Sequence, residues 1–91
     1  MPKKEDNSTK PAQQFRLRGI AVSVFANTAK DRKTPYYKVS LQKTYKDGDD
    51  FKTTTSLGRD DLPVAELLLK QAWVWVLNQE AEDRKDAYQD E

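Results

Sequence analysis

Between Tyr36 and Lys46 apolar and polar positions alternate: Val39 and Leu41 fall on one side, and Lys38, Ser40, Gln42, Thr44 and Lys46 on the other. Strand side chains change face at every residue, so this period of two predicts a strand with one packing face and one basic, hydroxyl-rich face. Asp47-Gly48 reads as a turn. The returning segment places Phe51, Thr53, Thr55 and Leu57 on one side and Lys52, Thr54 and Ser56 on the other. On this reading Lys52 and Thr54 join Lys38 and Lys46 on the polar face. The run Thr53-Thr54-Thr55 reflects strand propensity before it suggests any motif.

Upstream, Phe15 to Asn27 reads as a first strand, with Ile20, Val22, Val24 and Ala26 on one side and Leu17, Ala21, Ser23 and Phe25 on the other. Gly19 within it predicts a bulge or bend, from which a fourth strand can arise. Downstream, the period changes. Asp60 and Asp61 are candidate caps, and Pro63 falls in a first helical turn, where its missing N–H costs nothing. At roughly 100° per residue, Leu62, Val64, Ala65, Leu68, Leu69, Ala72, Trp73, Trp75 and Val76 fill an arc of about 180°, with Trp73 and Trp75 near its opposite borders. That arc is wider than one small sheet covers. One flank is expected to pack on the strands and the other, through Leu68, Ala72, Trp73, Trp75 and Val76, on the same helix of a second subunit.

The expected fold class is α+β: a curved antiparallel sheet of three to four strands, then one C-terminal helix, as a helix-mediated homodimer. Residues 1–14, without periodicity, read as a disordered tail, 15–80 as the folded domain, and 81–91 as an acidic tail. With 91 residues in all, one small core is expected.

Charge changes this picture more than composition does. The net formal charge is only +1, yet residues 16–59 hold ten Lys and Arg against four acids, and residues 80–91 hold six acids against two bases. A basic surface attracts polyanions, and an acidic segment can compete for it. No cysteine and no histidine is present, which removes disulfides, thiolate metal sites and the commonest general base. The remaining carboxylates sit in turns, at the helix start and in the tail, so no acid–base pair is recognisable and no enzyme, cofactor or small-molecule substrate is expected. Asp47, Asp49 and Asp50 lack the spacing of a calcium loop and read as a hairpin turn. With no apolar run long enough for a membrane span and no signal-like start, the expected setting is intracellular: cytoplasmic, or nuclear in a eukaryote.

Single strands are bound without sequence preference by cations that track the phosphates and rings on which bases stack. Lys38, Lys46 and Lys52 supply cations, with Arg16 and Arg18 at the margin, and Tyr36, Tyr45 and Phe25 are candidate platforms. Ser40, Thr44 and Thr54 can donate to phosphate oxygens without reading bases.

The strand-rich basic half, the turn Tyr45-Lys46-Asp47-Gly48-Asp49, the strand end Thr55-Ser56-Leu57 and the helix start Asp60-Asp61-Leu62-Pro63 resemble the positive-cofactor-four family of transcriptional coactivators (the p15 type). The likeness spans about Arg16 to Gln79. It implies a curved sheet backed by one helix, dimerising through that helix and binding single-stranded DNA, or RNA, across the sheet. The family's basic and aromatic contact positions correspond to Gln42, Tyr45 and Lys52. Gln42 stands where the family has arginine, with Lys43 beside it, and Phe25 matches the aromatic after the first strand. The family's serine-rich regulatory tail is not evident in Met1 to Gln14, which favours a bacterial or phage setting over a coactivator role. The resulting expectation is a largely sequence-independent single-stranded DNA-binding dimer acting in replication, recombination or transcription. Its rival is a protein-interaction or assembly module in which the basic patch serves solubility.

Overall fold

The structure, a computed structural model, describes residues 10–31 and 33–89. Four antiparallel strands, β1 (Gln13–Leu17), β2 (Ile20–Asn27), β3 (Tyr36–Asp47) and β4 (Asp50–Thr54), are followed by a short 3-10 turn (Arg59–Asp61) and one helix, α1 (Leu62–Gln89). The sheet is open, with order β1-β2-β3-β4, so β1 and β4 form its free edges. Of the expected tail 1–14, residues 1–9 lie outside the described residues, as does Arg32, while Gln13 and Gln14 belong to β1. At the other end the acidic segment is helical as far as Gln89.

The expected first strand is two. Leu17 pairs with Ile20, which leaves Arg18-Gly19 as a two-residue turn with both φ angles positive, 53° and 80°. That is the type I′ pattern, whose twist matches the flanking strands. Gly19 suits the left-handed conformation, and a Cβ there would lie 3.1 Å from the Thr44 carbonyl. The Gly19 carbonyl accepts a hydrogen bond from the Thr44 N–H at 2.9 Å, extending the β2–β3 ladder by one rung and fixing the turn beside β3. The β3–β4 hairpin also turns in two residues, because Asp47 pairs with Asp50 around Gly48 (φ 66°) and Asp49.

These turns decide which residues share a face. Ile20, Val22 and Val24 of β2 point to the helix and are buried, with Leu68 and Ala72 of α1 packed on them and Phe15, Leu41, Leu57, Val64, Trp75 and Val76 around the rim. Burying each such aliphatic chain is worth roughly 1.5–3 kcal/mol, which makes this small cluster the principal source of stability. Leu68 and Ala72, expected at a dimer interface, are 2% and 1% exposed against the protein's own sheet. Trp75 packs edge-on against Tyr37, with ring centroids 5.8 Å apart, and Val76 packs against the core. Of the five residues expected to face a partner, Trp73 alone projects outward, 60% exposed.

Two polar clasps fasten the helix to the sheet. At the start of α1, Asp61 Oδ2 accepts from Lys43 Nζ at 2.6 Å and from the Gly58 N–H at 2.8 Å. The Lys43 hydrogen bond, then that of Gly58, holds the Asp61 carboxyl below its ordinary pKa. A carboxyl whose folded pKa is depressed contributes stability above its unfolded value of about 3.9 and loses it as pH falls through the folded one. Asp61→Asn is therefore expected to show a shallower loss of stability below about pH 4 in urea titrations; equal acid sensitivity in both proteins would refute this linkage. Farther along, the Tyr37 hydroxyl donates to Asp83, whose other oxygen accepts from Gln79 Nε2 at 3.1 Å. Burial, then this hydrogen bond and the charges of Asp83 and Glu80, pushes the Tyr37 phenol well above its ordinary pKa. No helix is long and apolar enough to cross a membrane, among the described residues.

Candidate nucleic-acid interface

Directly paired residues of antiparallel strands project to the same side, so the register lists the face turned away from the helix. It carries Gln14 and Arg16 from β1, Ala21, Ser23, Phe25 and Asn27 from β2, the even-numbered residues from Tyr36 to Lys46 of β3, and Phe51 and Thr53 from β4. None of these is acidic. Arg16, Lys38 and Lys46 are its cations, and Arg18 stands at its margin in the β1–β2 turn. None of the four forms an ion pair within the described residues. On the helix side and beyond it, by contrast, Lys43 pairs with Asp61 at 2.6 Å, Lys52 with Asp47 at 2.9 Å and Arg59 with Asp60 at 3.2 Å. Lys43, Lys52 and Arg59 are thus paired off the open face, while the cations on it are left available.

Two aromatic–cation pairs mark the ends of this face. Phe25 lies opposite Lys38, and Phe51, 72% exposed, lies opposite Lys46. Each pair puts a phenylalanine and a lysine at facing positions on the same side of the sheet, residue types that can offer a base a stacking surface and its phosphate a counter-charge. At 3.2–3.4 Å per residue, eight residues of β3 separate them by about 26 Å. Ser40, Gln42 and Thr44 line the path between them, supplying hydroxyl and amide groups that can contact phosphate or sugar without reading sequence.

The sequence expectation is therefore divided. Arg16, Phe25, Lys38, Gln42 and Lys46 share the open face, with Arg18 beside them. Lys43, Tyr45, Lys52 and Thr54 do not: the pairs Lys43↔Thr54 and Tyr45↔Lys52 point to the helix side. Lys43 is paired with Asp61 and Lys52 with Asp47, and Tyr45 is 40% exposed on the face opposite to Lys38 and Lys46. Lys43 and Tyr45 are odd-numbered like Val39 and Leu41, so the alternation of β3 itself puts them on the packing side; for Lys52 and Thr54 the reason is the length of the β3–β4 turn. Two loop residues fix Lys46 opposite Phe51, and a register shift of one would be needed to bring Lys52 round. What the alternation alone missed is Phe51, Thr53 and Gln14, and the signal that could have found Phe51 was the residue count across Gly48-Asp49.

Arg16 is also held in place. Its Nε donates to Gln14 Oε1 at 3.0 Å, while Gln14 Nε2 donates to Ser23 Oγ at 2.7 Å. Ser23 is 8% exposed, the one buried polar residue among those described. The acidic part of α1 lies elsewhere: Asp83 is fastened to Tyr37, on the helix side. The side chains described there do not shield the open face. Comparison with known protein families, curated proteins and solved structures gives no match to this chain.

Proposed function

We propose that this protein binds single-stranded DNA or RNA across the open face of its sheet, largely without regard to sequence, and acts as a homodimer in replication, recombination or transcription. The observation that carries the reading is the segregation of charge: among the described residues every cation on the open face lacks an ion pair and no acid shares that face, whereas Lys43, Lys52 and Arg59 are each matched by an aspartate. Self-neutralised surfaces need no polyanion; a one-signed, ring-bearing surface is suited to one. The likeness to the positive-cofactor-four family points the same way, with the contact set moved to Arg16, Phe25, Lys38, Gln42, Lys46 and Phe51.

Fluorescence polarisation with labelled oligo-dT and its duplex, at two salt concentrations, tests this. Tight, salt-sensitive preference for the single strand is the expected result. Failure to bind either form refutes the reading and leaves a protein-interaction module as the better account of the basic face.

The dimer is supported by the outer side of α1. Leu62, Leu69, Trp73 and Leu77 are 43–60% exposed and fall within an arc of about 80° on one flank. Glu66 interrupts this flank, yet a run of exposed large apolar side chains along one flank of a helix is ordinarily covered by a partner. Sedimentation is expected to give a dimer at micromolar concentration, and Leu69→Glu with Trp73→Glu a monomer of unchanged circular dichroism. A wild-type monomer under those conditions would sink the dimer while leaving the strand-binding face untouched.

A further inference from the structure

Beside the β1–β2 turn the open face is notched by a depression of about 440 Å³ lined by Gln14, Arg16, Arg18, Gln42 and Thr44 among others. The turn itself explains the backbone at this notch, but two features of its side chains are not required by the fold. Arg16 is oriented by the Gln14–Ser23 relay through its Nε, which leaves both terminal amino groups of the guanidinium without a hydrogen bond to the described residues. Arg18 occupies a left-handed backbone position (φ 53°) that asparagine or glycine fills at lower cost, and it is the sole non-glycine residue with positive φ among those described. A strained backbone retained at a surface turn, under a side chain with no partner among the described residues, is a mark of function rather than of stability.

The geometry points to a phosphate-binding subsite at this notch: Arg16 and Arg18 together grip one phosphate group, Gln42 and Thr44 donate to its remaining oxygens, and Gln14 is the positioning residue that aims the Arg16 fork. Guanidinium matches phosphate oxygens in a planar, two-pronged geometry that an ammonium lacks. The notch lies at the level of Thr44, between the Phe25–Lys38 and Phe51–Lys46 pairs, where a strand crossing the sheet would present its backbone. This deepens the single-strand reading and rests on it for the identity of the polymer, though not for the phosphate chemistry.

The full chain, labelled with ¹⁵N, is titrated with oligo-dT and, separately, with inorganic pyrophosphate while the arginine Nε–Hε signals are followed. Both probes are expected to shift the Arg16 and Arg18 signals. Arg18→Asn should raise Tm by about 4 °C through relief of the turn, yet weaken oligo-dT binding about tenfold at low salt and lower the salt slope by about 0.7. Gln14→Leu, which alters no charge, should keep the slope, lose about threefold in affinity and abolish the Arg16 shift with pyrophosphate. Unmoved arginine signals with both probes, or unchanged affinity and slope in Arg18→Asn, overturn the subsite. If pyrophosphate shifts the signals and oligo-dT does not bind, the subsite stands and the single-strand reading falls. If oligo-dT binds with both arginines unmoved, the subsite falls and the reading survives.

Discussion

Replacing Arg16, Lys38 and Lys46 together by alanine is expected to reduce the dependence of log K on log salt by about 2, because each phosphate neutralised on a single strand contributes about 0.7. At low salt the affinity for oligo-dT should fall roughly a hundredfold for the same reason. The control removes Lys43 and Lys52, two cations against three. Each is paired with an aspartate, Asp61 and Asp47, on the helix side, so binding should change by less than about threefold, the remaining effect being long-range and screened over about 10 Å. Polarisation isotherms across a salt series measure both variants. If the control loses as much as the triple variant, net charge alone governs binding and the two faces are not distinct.

The second large effect concerns the core. Leu68→Ala is expected to cost about 3 kcal/mol, since Leu68 is 2% exposed between α1 and β2 and truncation leaves a cavity that surrounding atoms fill only partly. For a domain of this size that corresponds to a fall in Tm of roughly 10–20 °C. Leu69→Ala, one residue later but 43% exposed, should cost less than about 1 kcal/mol at concentrations where the chain is monomeric. Thermal melts of both at several concentrations separate the contributions, because a loss at Leu69 that appears only at high concentration belongs to subunit contact. Equal losses at high dilution would mean that the helix faces are assigned wrongly.

Much of the fold was legible in the sequence because two strong periods dominate it. The alternation around Val39 and Leu41 fixed β3, and the apolar positions after Pro63 fixed α1. The places where sequence reasoning failed are all matters of parity. Read as one strand, Leu17 shares a side with Ser23 and Phe25; folded back at Arg18-Gly19, it shares a side with Ile20. Likewise Phe51 looked like a packing residue and Lys52 like a ligand contact, until the two-residue turn at Gly48-Asp49 exchanged them. A period of two gives relative orientation within a strand but no absolute side, which the loop length then sets. The helix shows the complementary limit. Its apolar residues are spread so widely that periodicity could not say which of Leu68, Ala72, Trp73, Trp75 and Val76 meet the sheet, and packing places all but Trp73 there.

The clasp between Tyr37 and Asp83 has an outcome beyond fastening α1. By anchoring Asp83 to the reverse of the sheet, with the charge of Glu80 nearby, it sets these carboxylates on the side opposite to Arg16, Lys38 and Lys46 and gives the molecule an electrical polarity. On the proposed reading, a polyanion would meet attraction at the open face and less of it at the rear, so the geometry of encounter would be biased before any contact forms. Rate of capture, more than lifetime of the complex, is what such polarity governs.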